Sequence, residues 1–223
     1  MEYIDSVHTY VKLILDSSAK EKELIYRGHV STKFELKPSI GRCNYSKALE
    51  KEVFLKFKQQ YYSYTNERPQ NDMDLLFLAQ HYGLPTRLLD WTYNPMIALY
   101  FASENQDYED GCIFSVDLHK AILFDSESNG AAPKTIDEIM SIDKPVYIVP
   151  GYTDARYKNQ KALFLLCSKP DKKFTFATPR FVVKKKNKSQ IREELAMLGY
   201  DKTLVYPMLD SLCFDIKSRF HLI

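Results

Sequence analysis

Arg27, Gln80, His81, Arg87, Asp90 and Thr92 are the residues whose types and spacing could do chemistry. The last five fall in one stretch, FLAQHYGLPTRLLDWTYNPMIALYFA, residues 77–102. Arg27 and Arg87, with Arg156 further along, offer forked donors suited to phosphate or carboxylate. Gly28 follows Arg27 directly and would let a ligand approach the backbone closely. His81 stands before Tyr82-Gly83, where it could be a general acid or base, or could simply interact with a helix dipole. His29 is expected to be structural or solvent-facing. The polar groups of the long stretch sit among Leu84, Leu88, Leu89 and Trp91, so partial burial is expected. A buried charge must be paired, and Asp90 is the expected partner of Arg87. Two readings stand side by side. These groups either staple two helices together or line a pocket. For each arginine an internal ion pair is the plain alternative to a ligand.

The elements that must position them follow from periodicity and capping. Asp72 can cap a helix carrying Leu75, Leu76, Leu78 and Ala79 at helical spacing. Gly83 suits the left-handed position after its end, and Pro85 cannot continue it. A polar segment then leads to Asn94 as N-cap, Pro95 in the first turn, and a second helix with Ile97, Ala98, Tyr100 and Phe101 for a core face. Residues 1–18 fit an amphipathic helix with Tyr3, Ile4, Val7, Tyr10, Val11 and Ile14 on one side. Residues 47–64 fit another, with Leu49, Val53, Phe54 and Phe57 toward a core. Strands are predicted over 23–29, 111–118, 144–150, 162–167, 176–184 and 203–206. Residues 125–144 read as a loop with a short helix at 135–141. Ser189 caps and Gly199 ends a late helix, and Pro207 starts a last one running to about Phe220. Helices come first and strands later, without regular alternation. The expected class is therefore α+β: N-terminal helices, then a mixed, mostly antiparallel sheet with flanking helices.

Composition narrows the function classes. The chain has 223 residues, 45% hydrophobic and 27% charged, with a net charge of +2, so it has no general pull toward nucleic acid or membrane. The lysine run 184–188 could touch phosphates but fits a solvated turn better. Sixteen Tyr and thirteen Phe are enough to build pockets as well as a core. No apolar run approaches membrane-spanning length, and the first residues lack a signal peptide's basic start and apolar stretch. Cys43, Cys112, Cys167 and Cys213 show no paired-ligand spacing, so no metal site is expected and reduced cytoplasmic thiols are the default. Phosphate-loop, dinucleotide-glycine, His-Glu-x-x-His and serine-elbow motifs are absent. The sequence nominates no pair of carboxylates for glycoside hydrolysis. A Cys–His nucleophile pair stays open, although no cysteine sits near a motif.

QHYGLPTRLLDWT followed by NPMIALYFA resembles the signature of the FRG domain family, named for a Phe/Tyr-Arg-Gly motif that stands here as Tyr26-Arg27-Gly28. RYKNQKALF, from Arg156 to Phe164, and TLVYPMLDSLCFDI resemble later family segments. In the last of these Tyr206 replaces the usual Phe, and Ser211 and Cys213 replace Gly and Ala. On this resemblance residues 23–223 form an FRG-like domain, with residues 1–22 an N-terminal helix packed on it. The layout is also similar to that of ADP-ribosyltransferase-type enzymes. That analogy makes Arg27 the NAD-binding arginine, flanked by Tyr26 and Gly28. It puts Thr92 in the Ser/Thr turn and Tyr93 or Tyr100 against nicotinamide. Gln160 takes the place where such enzymes carry a Glu, and a Gln cannot supply its negative charge. Gln80, Arg87, Asp90 and Arg156 complete the expected ligand-binding set. NAD is thus a candidate substrate rather than a resident cofactor. The rival reading is a non-catalytic module that binds a nucleotide or phosphorylated ligand and signals to a protein partner. A nucleic-acid enzyme or binder ranks third. The resemblance implies a bacterial or phage conflict or defence setting.

Overall fold

The computed structural model describes residues 1–18, 23–105, 107–120, 123–125, 132–151, 154–175 and 177–220. In chain order the regular elements begin with β1 (Glu2–Ile4), α1 (Val7–Ser18), β2 (Leu24–His29), α2 (Lys47–Gln60), α3 (Asp72–His81), β3 (Leu88–Thr92) and α4 (Pro95–Ser103). They continue with β4 (Gly111–Asp117), β5 (Leu123–Asp125), α5 (Ile136–Ser141), β6 (Val146–Val149), α6 (Ala155–Asn159) and β7 (Ala162–Leu166). The last are β8 (Pro179–Val183), α7 (Lys188–Met197), α8 (Lys202–Val205) and α9 (Leu209–Arg219).

The strands form one eight-stranded sheet in the order β1-β8-β4-β2-β3-β7-β6-β5. Its two outer pairs, β1–β8 and β5–β6, are parallel and the remaining pairs are antiparallel. The class is α+β with a mixed, mostly antiparallel sheet, as the sequence predicts. Strand alternation sorts side chains to two faces. One face carries Tyr26, Ile113 and Phe181 against α1, α4 and α7, and Leu88, Phe164 and Ile148 against α3 and α5. The other carries Ile25, Leu89, Trp91, Cys112, Phe114, Tyr147 and Leu163 beneath connecting segments that contribute Leu36, Phe174 and Ala177.

Several boundaries differ from the sequence reading. Leu88–Thr92, read as a polar segment, is a central strand paired with β7 from Leu88↔Leu166 to Thr92↔Ala162. Of Thr203–Tyr206, read as a strand, Thr203, Leu204 and Val205 lie in helix α8 and Tyr206 follows its end, because the Asp201 side chain accepts from Leu204 N and closes a helical turn there. The first residues are a strand rather than helix: Glu2–Ile4 pairs with Phe181–Val183 and leaves Tyr3 exposed. In α1 the buried stripe is Val7, Tyr10 and Ile14, with Val11 exposed. Asn71, not Asp72, caps α3, accepting from Asp74 N at 3.0 Å. Asn187 precedes α7 in place of Ser189. Asn94 and Pro95 open α4 as expected, and Gly83 and Gly199 adopt left-handed φ of +87° and +83° after their helices. Of the strand predicted over 176–184, residue 176 lies outside the described residues, as do 126–131 of the predicted loop and 19–22 at the expected domain boundary.

Candidate functional site

β2 and β3 are neighbours in the middle of the sheet, yet one register pair joins them among the described residues, Tyr26↔Thr92. Just past that rung the strands part, and Arg27 reaches across. Its Nη1 donates to the Asp90 carbonyl oxygen at 2.5 Å and lies 3.6 Å from the Asp90 carboxylate. Its Nε donates to His29 Nε2 at 2.9 Å. Nη2 makes no hydrogen bond among the described residues, and 15% of the side chain is exposed. Gln80 Nε2 donates to Asp90 Oδ1 at 2.6 Å, and the Thr86 hydroxyl donates to Gln80 Oε1. Arg27, His29, Gln80 and Asp90 therefore form one connected group. Arg42, with its Nε on the Lys37 carbonyl, lies within electrostatic reach of Arg27 and His29.

Burial lowers the Arg27 guanidinium from its ordinary value, against the pull of Asp90. An arginine nevertheless stays charged in a protein. Burial, with Arg27 and Arg42 beside it, brings His29 down to about 3, so the ring is neutral and can accept from Arg27. His29 is buried rather than solvent-facing. The signal for it was its place two residues after Arg27 on a strand, which puts both on one face.

Other expected site residues lie elsewhere. Arg87 does not pair with Asp90. It is 1% exposed and grips Glu50 through two bonds, Nε to Oε1 at 2.7 Å and Nη2 to Oε2 at 2.6 Å. Its Nη1 donates to the carbonyls of Ile139 and Cys167 at 3.1 and 3.4 Å. These donors are spent inside the protein, which makes Arg87 the polar staple of the two readings. Gly28 also corrects an expectation. A Cβ there would overlap the Ala98 carbonyl and come 2.8 Å from Ala102 N, so what approaches this backbone is helix α4, not a ligand. Tyr26 is buried on the same side, against α4.

Thr92 and Gln160 do meet. The Thr92 hydroxyl donates to the Gln160 carbonyl at 2.5 Å, and Gln160 Nε2 donates to the Val205 carbonyl at 2.9 Å. Both are buried, and together they tie the end of β3 to α6 and α8. Tyr93 packs partly buried against the loop-covered face. Tyr100 belongs to a separate group, in which Tyr206 donates to Glu104 at 3.0 Å and the Arg156 guanidinium lies 5.1 Å over the Tyr206 ring. Burial raises the Glu104 carboxyl above its usual range. His81 faces Tyr157 edge-on and lines a separate cavity of about 700 Å³ with Glu67, Asp74 and Asp154. The lysine run is only partly solvated: Lys188 is fully buried on the Val30 carbonyl, and Lys184 pairs with Asp110 at 3.0 Å.

Residues 22–111 match the FRG domain family. The FRG match takes in Arg27, Gln80, Arg87, Asp90, Thr92 and the whole of α4, and it stops before Arg156, Gln160 and Tyr206. No curated protein and no solved structure gives a significant match to the chain. Among the described residues no helix is long and apolar enough to cross a membrane, and no group of three or more His, Cys, Asp or Glu could hold a metal ion.

Proposed function

We propose that this FRG-containing chain binds a nucleotide or similar phosphorylated ligand through Arg27, with NAD as the candidate substrate in an ADP-ribosyltransferase-like use of the site. One observation carries the reading. Arg27 stands where β2 and β3 part, half of its fork is bonded to Asp90 and His29, and Nη2 is left over. A guanidinium so held is pre-oriented to take a phosphate oxygen at little further entropic cost. Neutral His29 adds no competing charge, and Arg42 adds a second cation within reach.

Binding without bond-breaking is the second reading, and Gln160 favours it. Its amide is committed to Val205, and it offers no charge to an oxocarbenium-like sugar. Thr92 is likewise committed to Gln160. Asp90 is the carboxylate nearest Arg27, and it is already bonded by Gln80. The nucleic-acid reading loses ground, because Lys184 and Lys188 are engaged within the protein. A protein partner, a cytoplasmic location and a bacterial or phage defence setting are proposed on family resemblance alone.

Proton NMR of NAD incubated with wild type and with Arg27→Ala tests the proposal. Nicotinamide release by wild type alone supports NAD consumption. Absence of release, with Arg27-dependent thermal stabilisation by the nucleotide, supports the binding module. Neither effect would sink the assignment of Arg27.

A further inference from the structure

Among the described residues, three buried polar atoms on the loop-covered face of the sheet have no hydrogen-bond partner: His29 Nδ1, beside Arg27, and a pair further along the face. Trp91 Nε1 and the Tyr147 hydroxyl are buried, and no hydrogen bond reaches either atom. Each residue is 2% exposed, and the two rings meet edge-on at 5.8 Å. Buried donors left unmade are costly, so a native structure that keeps two in contact calls for an acceptor. Both belong to the cluster that also holds Ile25, the neighbour of Arg27 on its own face of β2. The Arg27 Nη1 bond goes to the carbonyl of Asp90, the residue before Trp91 on β3. The cover over the pair is two connecting segments, touching through Phe174 N on the Leu36 carbonyl at 2.9 Å.

We propose that Trp91 and Tyr147 form the inner end of the Arg27 site and donate to an acceptor on the ligand's heteroaromatic ring, such as a carboxamide or ring carbonyl. This rests on the reading of Arg27 as the phosphate anchor. It assigns the ligand two ends: an anionic one at Arg27, and a flat, carbonyl-bearing one against the indole edge. An indole N–H can only donate, which excludes an ammonium or another donor-only group at that position.

Calorimetric titration of NAD and of inorganic pyrophosphate into wild type, Arg27→Gln, Trp91→Phe and Tyr147→Phe tests it. Trp91 is the chain's single tryptophan, so its fluorescence reports ring binding in the wild type directly. Loss of one donor each should weaken NAD about fivefold to tenfold in the Phe variants and leave pyrophosphate unaffected. Unliganded Tyr147→Phe should melt no lower than wild type, because its hydroxyl holds nothing in the free protein. Unchanged NAD affinity in both Phe variants, with Arg27→Gln binding neither probe, overturns this inference and leaves the anchor standing. A wild type that binds neither probe overturns both. A lowered melting point for free Tyr147→Phe also overturns it, since the hydroxyl would then have a structural partner.

Discussion

Removing Glu50 should cost the protein a large part of its stability without touching the group around Arg27. Glu50 and Arg87 are 5% and 1% exposed, so neither charge can turn to water if its partner goes. Burial alone would lower the Arg87 guanidinium, yet the Glu50 hydrogen bonds and charge outweigh it and raise the arginine above its ordinary value. Breaking a buried pair from one side leaves an uncompensated charge, worth about 3–5 kcal/mol. For a domain of this size that is a fall in melting temperature of roughly 6–20 °C. Glu50→Ala should show it in urea and thermal unfolding. The double variant Glu50→Leu/Arg87→Met removes both charges at similar volume and should recover most of the loss, though the Ile139 and Cys167 carbonyls lose their donor. The recovered double variant should then bind any Arg27-dependent ligand as wild type does. A Glu50→Ala cost below about 1 kcal/mol would refute the buried-pair argument, because that is the worth of an exposed pair. A double variant that folds but loses the ligand would return Arg87 to the site.

Two further outcomes separate scaffold from site. Gly28→Ala should destabilise severely, seen as insoluble or early-melting protein, because the added Cβ meets the α4 backbone at Ala98 and Ala102 rather than a flexible side chain; a stable Gly28→Ala with weakened ligand binding would reverse that assignment. His29 should give a pH signature. Its pKa falls from 6.5 to about 3 on folding, chiefly by burial, so the unfolded chain takes the proton first. The stability it contributes is complete above pH 6.5 and is lost as pH falls toward 3. Between pH 6.5 and 5 the wild type should lose up to about 1.4 kcal/mol per pH unit through this group, and His29→Phe should lose less. Equal slopes in the two proteins would contradict a neutral buried His29.

The elements with clean periodicity or caps were legible from the chain: β2, β4, β6, β7, α2 and α4 stand within a few residues of where patterning puts them. β3 was not, because LLDWT is buried on both sides apart from Asp90 and so shows no alternation. β1 and α8 are three and four residues long, too short for a period to register. Among site residues Arg27, Gln80 and Asp90 could be chosen by type, but their pairing could not. The partner of Arg87 lies 37 positions away on α2. A signal for it exists all the same. Glu50 shares the buried side of that helix with Phe54, four residues on, and a carboxylate on an apolar stripe announces a buried cation.

The Tyr-Arg-Gly triplet illustrates why a motif is a poor map of a site. On a strand its neighbours face opposite ways, so Tyr26 and Gly28 turn toward α4 while Arg27 turns to the other face. Two of the three letters therefore serve the packing of one helix, and the third faces Asp90 and His29. The same division runs through β3, where Leu88 and Thr92 face the helices and Leu89 and Trp91 face away. The two faces alternate one by one along the two central strands, but both are core faces, since Ile25 and Leu89 are as buried as Tyr26 and Leu88. A substitution scan along 25–29 and 88–92 should accordingly give loss of fold at Ile25, Tyr26, Gly28, Leu88 and Leu89, and loss of binding with the fold kept at Arg27 and Asp90. A scan in which both fall on the same residues would mean that the sheet face, not the alternation, has been misassigned.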